Sequence, residues 1–328
     1  MRQILAIILF MLLTPSFWLL NSRAEGLPTY EDFRRVDRLR RMTGELQTAE
    51  LLKVTHIDHA LIEGVARRAT NDYQAVWGAA ELIADWPTKR ALFQTALTSS
   101  GTNEAVALRY ACAAAEHQDP GTAVPLLRVV EEADSDNIVP WFIEMRLLQA
   151  QNKGLADLRT PPSWAIRYRD FGADAARARI HTLETAGYSP YAARRLGFMP
   201  DMTVLAMARD SAEKPIQKPA AKLLLALARA MQDHPTYLVT ELVGQTLERA
   251  ASRGGLDGLT SAEASLRATE LDQRRDDIRS MLSAVERNVV DIATEDEMVQ
   301  YFNDVLSVGE ESAMHRLSET VQGGRPQP

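Results

Sequence analysis

Residues 105 to 116 read AVALRYACAAAE, and this run decides the fold class. Alanines at 105, 107, 111, 113, 114 and 115 are strong helix formers and leave hardly any polar side chain on the surface of the helix they build. A helix apolar on most of its sides is buried on most of its sides. The run is therefore expected to lie between neighbouring helices, as in a stack. Cys112, the single cysteine, sits inside it and reads as a small core residue rather than a nucleophile.

Outward from this helix the chain repeats. Residues 70–103 set above 104–137 give two blocks of equal length, and the offset carries into the segment that begins at Ile138. Each block reads as two helices joined by a short turn. Tyr73, Val76, Trp77 and Ala80 mark the buried face of the first leading helix, and Ala107, Tyr110, Ala111 and Ala114 take the corresponding places in the second. Trp141, Met145 and Leu148 open a third copy, while Phe93 and Ala96 correspond to Leu127 and Val130 in the trailing helices. A small residue such as Ala111 lets two helix backbones approach, and a bulky neighbour one turn away fills the adjacent groove.

Over about residues 70–150 this pattern resembles the tetratricopeptide repeat family. Trp141 stands at the aromatic place, and Ala123 with Leu127 forms the alanine-plus-large pair. Trp77, Ala111 and Met145 stand where the family prefers glycine, Lys89 replaces an alanine, and Gly101 and Ser135 replace the closing proline. The resemblance implies stacked antiparallel helix pairs and a peptide or partner segment held in their groove.

The rest of the chain carries helical periodicity too, with no alternating β-branched run between tight turns, so the fold class is all-α: a repeat-like, α-solenoid array followed by a C-terminal helical region. Thr29 and Asp32 form a capping box ahead of Phe33, Val36, Leu39, Met42, Leu46 and Ala49, one apolar stripe. Gly154, Pro161 and Pro162 break the pattern. The expected organisation is a signal peptide over 1–24, a repeat region over 25–150, a linker over 151–163, a central helical region over 164–251, a glycine-rich turn over 252–260, C-terminal helices over 261–321 and a disordered tail over 322–328. Central helices are expected at 174–186, after Ser189, after Asp201 and after Pro219, with DSAEKPIQKP (210–219) as a linker. The longest helix is expected from Ser261 to Ile292, with a seam of Leu271, Ile278, Leu282, Val285, Val289 and Ile292 that could pack internally or against a second copy. Thr294 and Glu297 announce another capping box.

The chain opens with Arg2, an apolar run from Ile4 to Leu20, and Ser22-Arg23-Ala24, the order of a secretory signal cleaved before Glu25. The competing expectation is an uncleaved anchor, for which that run is short. Both readings place the bulk of the chain outside the cytoplasm, periplasmic or secreted. The formal charge is −7, and removal of residues 1–24, with Arg2 and Arg23 but no acid, brings it to −9. Such a balance argues against nucleic acid or anionic lipid as a partner, leaving the membrane only through the N-terminal segment if it is uncleaved.

His56, His59 and Glu63 in THIDHALIE (55–63) are the sharpest chemical candidates. A helix starting at Thr55, with Asp58 completing a capping box, would bury Ile57, Ala60, Leu61, Gly64 and Val65 and set the two histidines and the glutamate together on the opposite face. Imidazole and carboxylate are zinc ligands, yet the H-E-x-x-H order is missing, and a solvated face is the expected reading. His117, His181, His234 and His315 are scattered. Ser211-Ala-Glu-Lys214 fits S-x-x-K, but the S-D-N and K-T-G companions that acyl transfer requires are absent. With no phosphate-cradling loop and no complete nucleophile set, the expected function is a non-enzymatic, exported scaffold for a protein or peptide partner, with no cofactor. A metal-dependent enzyme or a self-associating envelope protein are the alternatives.

Overall fold

The computed structural model describes residues 27–43, 54–151, 153, 155, 158–161, 166–198, 202–214, 216, 218–253, 260–288 and 292–323. Expectations for the signal segment, for most of the glycine-rich turn and for the last five residues fall outside them. The chain forms two compact units, Met1–Ile57 and Asp58–Pro328.

In the first unit, α1 spans Tyr30–Thr43. Its capping box is present: the Thr29 amide donates to the Asp32 carboxylate at 2.9 Å, and the Asp32 amide donates to the Thr29 hydroxyl at 3.4 Å. Phe33 and Val36 are buried.

The second unit begins with α2 (His59–Arg68), then α3 (Tyr73–Leu82), α4 (Trp86–Ser99), α5 (Glu104–Glu116), α6 (Pro120–Ala133) and α7 (Val139–Ala150). Short polar N-cap residues set the starts of α2 to α6. The carboxylates of Asp72, Asp85 and Asp119 and the amide oxygen of Asn103 accept from the first backbone N–H groups of α3, α4, α6 and α5. The α4 and α6 starts are copies one repeat apart, since Thr88 donates its amide and hydroxyl to Asp85 as Thr122 does to Asp119. Helices α3 and α4 pair, α5 and α6 pair, and α4 meets α5 as α6 meets α7. Every residue from Ala105 to Ala115 is buried. The all-α, stacked-pair reading therefore stands, and among the described residues the only extended pairing is an isolated bridge between Asn137 and Arg167.

The array does not stand alone. Helices α8 (Gly172–Thr185), α9 (Pro190–Gly197), α10 (Met202–Glu213), α11 (Lys218–Ala230) and α12 (Leu238–Arg253) follow, and α8, α10 and α11 return over the leading helices of the pairs. Helix α8 lies on α3, α10 meets α5 and α7, and α11 meets α7. At the α3–α8 crossing the backbones come so close that a β-carbon at Gly78 would stand 2.1 Å from the Ala178 carbonyl oxygen. Thr182 donates its hydroxyl across the crossing to the Ala75 carbonyl at 2.9 Å.

Three boundaries depart from expectation. Helix α10 runs to Glu213, taking in the start of the expected 210–219 linker. A helix over Leu238–Arg253, inside the expected central helical region but given no bounds of its own there, fills the space beside α10 and α11. The longest helix, α13, spans Ser261–Asn288. Helices α14 (Glu295–Val308) and α15 (Glu310–Gly323) form a closing hairpin, and the Thr294–Glu297 capping box is present.

Candidate functional site

The histidine cluster is not assembled as expected. Asp58 is itself the N-cap, accepting from the amides of Ala60 and Leu61, so α2 starts at His59 and His56 precedes it. Aspartate outcompetes the upstream threonine because its carboxylate accepts the first orphan N–H groups at the positive end of the helix dipole. Helix α2 packs through Ile62, Val65 and Ala66 and leaves Ala60 and Leu61 exposed. Glu63 turns to Arg67, 3.5 Å away. Among the described residues no group of three His, Cys, Asp or Glu side chains is placed to hold a metal ion.

The other candidates resolve locally. Ser211 donates to the Met207 carbonyl at 2.9 Å and Lys214 donates to Asp210 at 2.8 Å, so the two do not form a nucleophile and base. His117 stacks on Trp86 with ring centroids 4.6 Å apart, and His181 meets Asp72 at 2.7 Å. Trp77, Phe93, Ala111, Leu127 and Trp141 are buried, with Tyr73 packed partly against them. In the seam of α13, Leu271, Ile278 and Val285 are buried, and Ile292 lies beyond the helix, exposed.

Two charged clusters are structural in geometry. Glu81 on α3 accepts two hydrogen bonds of 2.9 Å from Arg109 on α5 and one of 3.2 Å from the Trp77 indole, with Arg179 on α8 at 3.6 Å. Burial raises this carboxyl, but Arg109, Arg179 and Lys89 more than offset it and hold it down to about 2. The pairing bolts the array to the helix that returns over it. At the far end Arg128 bridges Glu131 on α6 and Glu144 on α7, bonding them at 2.8 and 2.6 Å. Arg159 donates to the same two carboxylates and lies 4.7 Å over the Trp141 ring, fastening the 158–161 segment to both helices.

A third cluster is open to solvent. Glu248 on α12 is almost wholly buried, its side chain 2 % exposed, and forms the floor of a depression of about 360 Å³ between α12 and α13. Arg267 on α13 grips it with two bonds of 3.1 Å, and Gln232 donates to it at 2.8 Å. Burial pushes Glu248 up, and the bonds from Arg267 and Gln232 carry it below its ordinary value. Arg229 closes one side, 3.7 Å from the same carboxylate, and Glu263, Leu266 and Glu270 form the rim. Leu266 is 64 % exposed, the most exposed large apolar side chain among the described residues. Its position follows from the start of α13: Thr260 and Glu263 form a reciprocal cap, with the Thr260 amide donating to Glu263 at 2.8 Å and the Glu263 amide to the Thr260 hydroxyl at 3.3 Å. That cap is legible in TSAE (260–263). The convergence of Arg229, Gln232 and Glu248 is not, because it depends on how α11 and α12 turn.

Compared with models of protein families, with curated proteins and with solved structures, the chain has no match.

Proposed function

We propose that the chain is an exported, tetratricopeptide-like helical scaffold that holds a segment of another protein at the α12–α13 depression. The observation that carries this reading is Leu266: an exposed apolar side chain at the rim of a hollow that is otherwise charged. An exposed apolar side chain ringed by charges of both signs supports a small contact surface for a polypeptide segment with a polar rim. The leading helices of the pairs, where the repeat resemblance would seat a peptide, meet α8, α10 and α11 of the same chain, which supports the choice of this outer edge instead.

A photo-crosslinking residue at position 266, compared with one at the exposed His234 on a different turn, tests the reading in the native envelope. The expected result is a discrete adduct at 266 that Arg267→Glu abolishes and that position 234 does not give. Identical adduct patterns at the two positions, or an adduct indifferent to Arg267→Glu, would overturn it.

A further inference from the structure

Helix α1 carries charge of the opposite sign to the chain as a whole. In YEDFRRVDRLRRMT (30–43) five arginines outnumber Glu31, Asp32 and Asp37, a formal +2 within a chain of −7. Phe33 and Val36 are buried, which fixes the inward direction of the helix. At 100° per residue, Arg34, Arg35, Arg38 and Glu31 all fall within about 50° of the opposite direction. The side chains of Arg35 and Arg38 are 61 % and 60 % exposed, and their ion pairs with Asp32 and Glu31 are long, 3.9 Å each. Exposed pairs of that length hold little energy against a better anion.

We infer that this face of α1 lies along an anionic phospholipid headgroup surface, with Arg34, Arg35 and Arg38 against the phosphates. Two features select a bilayer over other polyanions. In the uncleaved reading, on which this inference rests, the apolar run Ile4–Leu20 ends nine residues before Tyr30, so that run seated in a bilayer keeps α1 within about 30 Å of the headgroups. A tether of that length raises the effective concentration of the surface and outweighs the repulsion from the chain's net charge, which a free nucleic acid would still meet. Basic side chains held near a bilayer are attracted to anionic headgroups, and guanidinium pairs with phosphate bidentately. The inference is independent of the α12–α13 depression and invokes a different partner.

The test uses the full chain carrying Glu31→Cys, labelled with an environment-sensitive dye, since Cys112 is buried. The protein is reconstituted into vesicles of phosphatidylcholine alone or with an equal part of phosphatidylglycerol, each containing a headgroup quencher. The expected result is strong quenching in the phosphatidylglycerol vesicles at low salt and its loss at about 0.5 M salt, where the screening length falls to a few ångströms. Arg34→Gln, Arg35→Gln, Arg38→Gln in combination should bring quenching to the phosphatidylcholine level, whereas the three Lys replacements should largely retain it. Equal quenching in both vesicle types, or no effect of the Gln replacements, would overturn the inference. A dye response to an added RNA oligonucleotide without vesicles that matches the phosphatidylglycerol response would overturn it in favour of nucleic acid.

Discussion

Gly78 and Ala178 face each other across the α3–α8 crossing, with the Ala178 carbonyl oxygen 2.1 Å from the place a β-carbon on Gly78 would occupy. No side-chain rotation relieves such a contact, because the obstructing atom belongs to the backbone. Gly78→Ala should therefore destabilise the fold by about 3 kcal/mol, the upper end of the overpacking range. Gly64→Ala makes the control: its nearest neighbour is the flexible Arg68 guanidinium, 3.3 Å away, and helix propensity favours alanine by up to about 1 kcal/mol. Urea unfolding of the two variants should shift in opposite directions.

The same argument applies to the repeat. Ala111 is fully buried in α5, among helices on several sides. Ala111→Leu should cost about 1 to 3 kcal/mol. His59→Leu, at the first position of α2, should stay within about 0.5 kcal/mol. Similar midpoints for the two would remove the close approach assigned to Ala111.

Acid should expose the Glu81 bolt. The folded carboxyl is held at about 2 against an ordinary 4.5, so between those values the unfolded chain binds more protons and stability falls as pH falls. The contribution is complete above about pH 4.5, is lost towards pH 2, and amounts to about 3 kcal/mol at about 1.4 kcal/mol per pH unit. Glu81→Gln should be less stable at pH 7 and show a flatter acid limb in stability measured between pH 5 and 2.

At the α12–α13 edge, Arg267→Ala leaves the Glu248 carboxylate with fewer partners in a buried site. Since Arg267 is itself more than a third exposed, the loss should be modest, about 1 to 2 kcal/mol. Glu248→Gln should recover part of it in the double variant, and a cycle of the four proteins reads the coupling directly.

Much of the fold was legible because it is local. The alanine run at 105–115, the D-x-x-T starts of α4 and α6, and the Thr29 and Thr294 caps each act within a few residues, and each forms. The start of α2 was misread because two candidate caps, Thr55 and Asp58, lie three residues apart and Asp58 is the one that takes the first amides. The return of α8 over α3 was not legible at all. Gly78 looks like a weak point in an isolated helix, and only the approach of Ala178 shows why a glycine is there. The α12–α13 hollow was partly legible: the TSAE cap places Leu266, while Glu248 and Arg229 are brought to it by helix packing.

The return of α8 over the array sets an order of events during synthesis. The Thr182–Ala75 bond joins residues 107 positions apart. At about 5 to 20 residues per second, α3 is made roughly 5 to 20 s before the helix that covers it. Throughout that interval its apolar face has no permanent neighbour on that side, and contacts of such separation also form slowly once both partners exist. Until Thr182 arrives, the side of α3 that α8 will cover is open to association with other apolar surfaces.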